Sequence, residues 1–120
     1  MNKFLFAILR LIYKFKQIFY QEIVIMTKTD VIIHDEKDNV GVVVIEKITP
    51  NQDCSCWIME NDKTVKIKSL NEIKLGHKIA MIDLNEGDTI LKYGHDIGKV
   101  VKSIKKGEHV HVHNVKTKKW

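Results

Sequence analysis

A chain of 120 residues, 44% hydrophobic and 29% charged, suffices for one domain with a modest core and excludes a disordered or fibrous protein. The formal net charge is +5, and Lys3, Arg10, Lys14 and Lys16 against Glu22 put most of it in the first 25 residues. The remainder is close to neutral, which excludes the electrostatic footprint of a nucleic-acid binder. Low-complexity sequence is absent, and no internal repeat is evident.

Residues 1–25 form an apolar and basic N-terminal extension, expected to be helical or unstructured. Phe4 to Leu9 is apolar, but Arg10, Lys14 and Lys16 break up the segment beyond it. No stretch approaches the roughly 18–20 uncharged residues of a spanning helix. Nor does a small-residue cleavage site succeed the apolar run. A helix lying on a membrane surface, a helix docking on a partner subunit and untranslated upstream sequence are the three readings. The abrupt change of composition at Met26 favours the last, so a domain over 26–120 is expected and membrane association is not.

Beyond Met26 the pattern is of short β runs between polar turns, and no long helix is required. Val31 to His34 reads as a strand, ended by the turn-forming Asp35 to Asn39. Val40 to Ile45, rich in Val and Ile, suits a buried strand. Pro50 to Asp53 breaks the chain. Cys54 and Cys56 stand one residue apart, too close for an easy disulfide, with no second cysteine pair to complete a metal site. They read as two reduced thiols of a cytoplasmic protein.

Thr64 to Lys68 alternates apolar and charged residues, as a half-exposed strand does. Leu70 to Leu75 could make at most one helical turn. Strands come next at Lys78–Ile82, Thr89–Tyr93, Gly98–Ile104 and His109–Val115, separated by Asn85-Glu86-Gly87-Asp88 and Lys105-Lys106-Gly107-Glu108, where glycine can supply a positive φ. About seven short strands with frequent turns predict an all-β, compact barrel-like or sandwich-like domain.

Five of the six histidines fall between positions 77 and 113. On a strand, His109, His111 and His113 would share one face while Val110 and Val112 faced the other. Imidazoles so spaced can converge on a divalent metal or on a carboxylate, although no carboxylate is obviously placed to finish a metal site. The same pattern also fits an exposed strand with merely polar histidines. Asn114 could hold a substrate hydroxyl or cap a turn. Gly76 before His77 and Lys78 would let a ligand approach the backbone; Lys78 itself reads as a solvated lysine entering a strand.

Gly76-His77-Lys78-Ile79-Ala80, then Lys92-Tyr93-Gly94 with Ile97-Gly98, then His111-Val112-His113-Asn114-Val115-Lys116 are similar, in order and distance, to the SAF-type domain of the altronate and galactarate dehydratase family. That domain also forms the small subunit of sulfolactate sulfo-lyase. The opening Ile33-His34 with Asp38-Asn39-Val40 resembles it too, so the likeness runs from about Asp30 to Lys116. It implies a compact β-clip (SAF-like) fold and a place in a lyase eliminating water or sulfite from a sugar acid or related hydroxy acid. It also implies a divalent metal (iron, manganese or magnesium) and a larger dehydratase-type subunit as partner. On this resemblance His77, His111 and His113 are the catalytic candidates, with His111 and His113 as metal ligands. Lys92, Tyr93 and Asn114 are the substrate-binding candidates. His109, where the family often has an aromatic residue, is left without a role, as are Cys54 and Cys56. The alternatives are a stand-alone module that binds a sugar acid or metal without catalysis, and a purely structural domain.

Overall fold

The computed structural model of the protein describes residues 28–118; the expectations for residues 1–25, including a start at Met26, lie outside them. The described residues are all-β, as expected. Their strands are β1 (Val31–Ile33), β2 (Val40–Val43), β3 (Lys47–Ile48), β4 (Asp53–Ile58), β5 (Lys63–Lys68), β6 (Ile73–Lys74), β7 (Lys78–Ala80), β8 (Thr89–Lys92), β9 (His95–Val100), β10 (His109–Val110) and β11 (Val115–Lys116). A six-stranded sheet runs β10-β7-β2-β1-β4-β5, beside a three-stranded sheet β11-β9-β8 and the pair β3-β6. Among the described strands, only β1 and β4 pair in parallel. No helix among the described residues is long and apolar enough to cross a membrane.

Burial alternates along β1 and the first half of β4, whereas β5 buries only Ile67 and leaves Val65 exposed. Val31 and Ile33 of β1, Val43 of β2, Cys54 and Cys56 of β4 and Ile79 of β7 form one core. Val40, Ala80, Leu84, Ile90, Val100, Ile104 and Val110 form a second, between the large sheet and β8-β9. Both cysteines are free, with no disulfide between them. Burial, reinforced by the negative charge of Cys54 and Asp30, pushes the Cys56 thiol up to about 12, so it is inert.

β4 is an addition to the expected strands. Its Cys-Ser-Cys-Trp alternation is a strand signal, with Cys54 and Cys56 inward and Ser55 outward, and it pairs along its whole length with β5. The two-residue strands β3 and β6 are also additions, and β6 occupies part of the segment where a helical turn was conceivable. At the other end, a strand over His109–Val115 is not formed. β10 stops at Val110, residues 111–114 turn, and Val112 is 74% exposed rather than turned inward.

A short pattern does recur, unevenly spaced. Ile73, Leu84 and Ile104 each stand three residues before a glycine, and Ile79, Ile90 and Val110 three after it; all six side chains are buried. The glycines, Gly76, Gly87 and Gly107, have φ of 83°, 92° and 91°. The residue after each donates its N–H to the carbonyl three residues back, at 3.0, 3.0 and 2.9 Å. Each unit is thus a tight turn with glycine at its positive-φ position, and each launches a strand: β7, β8 and β10. The first turn delivers His77 and the third delivers His109.

The three glycines differ in surroundings. A Cβ at Gly76 or Gly87 would meet nothing, whereas at Gly107 it would strike the Lys68 carbonyl. Gly107→Ala is therefore expected to cost about 2–4 kcal/mol, from positive-φ strain plus overpacking. Gly76→Ala and Gly87→Ala should each cost about 1–2 kcal/mol from strain alone. Urea midpoints of the three variants check the ranking; equal losses would mean that the Lys68 contact does not matter.

Candidate functional site

His77 sits at the end of the first glycine turn, its N–H bonded to Lys74 O at 3.0 Å and its carbonyl accepting from Val43 N at 2.9 Å. His109 begins β10, which lies against β7 with His109 opposite Ile79. Asn71 Oδ1 accepts the His109 N–H at 2.9 Å. His111 comes directly after, in the turn beyond β10. Pairing of β7 with β10 thus brings together histidines that are 32 residues apart, His77 Nδ1 lying 2.8 Å from His109 Nε2.

The rings of His77, His109 and His111 are half-buried, and one ring nitrogen from each lies within 4.8 Å of the others. Their planes are close to parallel. Centroid separations are 4.2 Å for His77–His111, 5.0 Å for His77–His109 and 5.5 Å for His109–His111. His113 is exposed and lies beside His109, at 5.1 Å between centroids, outside the group of mutually close ligand atoms. The structure therefore assembles His77 and His111 with His109, the histidine to which sequence reasoning gave no role. The signal that could have found it is the glycine turn shared with His77, which points both residues to neighbouring strands.

Asn114 is only 4% exposed. Its Oδ1 accepts the His111 N–H and its Nδ2 donates to the His109 carbonyl, both at 2.9 Å. Backbone bonds from Asn114 N and Val115 N to the His111 carbonyl, at 3.1 and 3.0 Å, close the same turn. The side chain thus clamps the loop that carries two of the imidazoles.

Lys92 and Tyr93 lie elsewhere, at the β8–β9 turn, where Tyr93 and Gly94 have φ of 55° and 70°, as a two-residue hairpin requires. The buried Asp38 carboxylate pins that turn, accepting from Tyr93 N and Gly94 N at 2.8 Å each. Tyr93 meets His34 edge-on at 4.4 Å between centroids, and the Lys92 ammonium lies 5.2 Å from the Tyr93 ring centre. These residues line a small cavity of about 110 Å³ with Ile32, Val42 and Val44.

Lys78, immediately after His77, is half-buried rather than solvated. It lines a groove of about 420 Å³ with His111, Ile97, Val112, Val115 and Lys116, and no carboxylate lines it. Burial, then the charge of Lys92, lowers the Lys78 ammonium below its ordinary value.

Burial pushes His109 down to about 4, with help from the charges of His113, His77 and His111. His111 is also lowered, first by burial, then by His77, Lys78 and His113. Both rings are therefore neutral at pH 7 and present a lone pair. Since the folded value of His109 lies below its ordinary 6.5, the stability it contributes is full above that value and is lost as pH falls through about 4. Urea midpoints across that window should fall with acidification in the parent and fall less in His109→Gln. A parent profile no steeper than that of the variant would contradict the burial of this imidazole.

The family model for the altronate/galactarate dehydratase SAF domain matches residues 29–118. The (2R)-sulfolactate sulfo-lyase subunit alpha of Chromohalobacter salexigens is 50% identical over 91 residues, 76% of this chain and 97% of that protein. Its counterpart from Paracoccus pantotrophus is 42% identical over 65 residues, 54% of this chain and 97% of that one. The altronate dehydratase of Bacillus subtilis is 51% identical over 53 residues, which are 44% of this chain but 11% of that enzyme. The matched segment thus spans nearly the whole of the two sulfo-lyase subunits and a small part of the dehydratase. With its strands, its glycine turns and this match over most of its length, the chain belongs to the altronate/galactarate dehydratase SAF domain family.

Proposed function

We propose that this chain is the small subunit of a lyase that eliminates a β substituent from a hydroxy acid, and that His77, His109 and His111 are its contribution to an active site completed by a larger subunit. The observation that carries this reading is the convergence of three half-buried imidazoles beside a cationic groove. Relatives matched almost end to end are named as one subunit, alpha, of sulfolactate sulfo-lyase, which supports a partner for this chain. The reaction class breaks the C–H bond α to the carboxylate, forms the C=C bond and breaks the bond to the β substituent, leaving an enol that becomes a 2-oxo acid.

Three imidazoles fit a divalent first-row metal as donors. They suit iron better than magnesium, which prefers oxygen ligands. When bound, such an ion would supply Lewis-acid stabilisation of the negative charge that develops on the substrate carboxylate. His77, His109 and His111 are the residues that would hold it. His113, exposed at the edge of the group, is free to accept or deliver a proton as a general base or acid. Lys92 and Tyr93, in the separate cavity, are candidates for contacts to the substrate or to the larger subunit's side of the site. The free thiols accord with a reducing compartment such as the cytoplasm.

Native affinity purification from the source cells tests the assignment. A tagged full chain should bring down a larger dehydratase-type polypeptide in equal amount, and the pair should convert a hydroxy acid to a 2-oxo acid. A chain that purifies alone, with metal and acid bound and no turnover, would mean a binding module instead.

A further inference from the structure

Lys78 is held by its backbone in a strand with neighbours on both sides, opposite Val42 of β2 and Val110 of β10. It cannot swing away with a loop. Its ammonium has no ion pair or hydrogen bond among the described residues, whose two ion pairs are Lys47–Glu72 and Lys118–Asp96. The nearby charges that bear on it and on His111 are cationic or imidazole: Lys92 on Lys78, and Lys78, His77 and His113 on His111. A partly desolvated cation facing other cations is unfavourable until an anion joins it. The groove it lines has apolar walls in Ile97, Val112 and Val115, a second cation in Lys116, and His111 at one side. Its volume of about 420 Å³ falls within the range of small-molecule sites.

We propose that Lys78 and this groove bind the anionic head group of an organic acid, setting the acid against the imidazoles of His77 and His111. This rests on the lyase reading and adds to it the residue that captures the substrate's charge. Lys78 precedes Ile79 and comes after His77, so one strand start supplies both a cation and an imidazole. An ammonium needs no metal to hold a carboxylate or sulfonate, so the full chain binds the acid without its partner. Val112, 74% exposed at the groove's edge, gives the acid's carbon skeleton an apolar contact.

Titration of the full ¹⁵N-labelled chain with (2R)-sulfolactate, lactate and the neutral polyol erythritol tests this, read from the amide signals of Lys78 and residues 110–116. A parallel cobalt(II) titration, read by its visible absorption, reports the imidazoles independently. The acids should shift those signals and erythritol should not. Lys78→Met should weaken acid binding about tenfold or more, as expected for loss of a charge-assisted contact, while its cobalt affinity holds or rises, because the Lys78 charge bears on His111. Lys78→Arg should keep most of both. An equal response to lactate and sulfolactate assigns the carboxylate to Lys78, and a response to sulfolactate alone assigns the sulfonate. If Lys78→Met binds sulfolactate like the parent, or if the parent binds cobalt but no acid, the inference falls while the imidazole site stands. If the parent binds acid but no cobalt, the reverse holds. A parent that binds neither overturns both.

Discussion

Alanine at His77, His109 or His111 is expected to weaken divalent-metal binding by more than about a hundredfold, since loss of a mere outer-sphere partner already costs roughly ten- to a hundredfold. The three ring nitrogens lie within 4.8 Å of one another, and no carboxylate among the described residues belongs to that group, so a missing ring removes one of its three donors. His113→Ala is the informative contrast. Its ring is exposed and flanks His109, so its removal should cost about tenfold or less, the size of an outer-sphere effect. Competition of cobalt(II) against a chromophoric chelator measures all four variants. Folding should survive the substitutions, because these rings are half-buried and repel one another when protonated; urea midpoints verify that. A silent His109→Ala together with a damaging His113→Ala would move the site to the outer pair and overturn the trio.

Asn114→Ala should be the most destabilising single polar substitution in the loop, by about 1–3 kcal/mol, because it strands a part-buried backbone donor and a part-buried backbone acceptor at once. The two bonds it removes tie His111 N–H and the His109 carbonyl into one turn. Metal affinity should fall with stability, since the rings of His109 and His111 lose their fixed separation. Asn114→Asp keeps the acceptor for His111 but sets a carboxylate oxygen against the His109 carbonyl, so it should be no more stable than alanine. Urea denaturation and the cobalt titration, run on the same samples, check both effects. If Asn114→Ala keeps its stability and raises only the KM of the assembled enzyme, the amide serves substrate rather than the loop.

The extent to which this site can be read from residue order differs strand by strand. Val and Ile runs at Val31–Ile33 and Val40–Val43, and the alternation of apolar and charged residues along Lys63–Lys68, mark those strands because they depend on near neighbours alone. β4 carries the same alternation, yet its two cysteines invite a chemical rather than a structural reading. The His-Val-His-Val-His run misleads in the opposite way. Its period continues through His113, but Asn114 finds better partners by folding the chain back on His109 and His111, and no period records such a bond. The recurrence of the glycine turn is hard to see in the sequence because its copies are unequally spaced and share little beyond one glycine and two buried apolar residues.

Residue order alone determined the all-β character, the glycine turns, and a histidine-rich end of the chain resembling a lyase-associated domain. These depend on interactions between near neighbours, where a periodic pattern or a positive φ is sufficient cause. Tertiary structure decided which histidines meet, that Lys78 faces a groove without a counter-ion, and that Lys92 and Tyr93 line a different cavity. Those outcomes depend on β7 pairing with β10, which brings together residues 32 positions apart and buries Ile79 in one core and Val110 in the other. A local pattern holds no record of which distant strand will lie alongside.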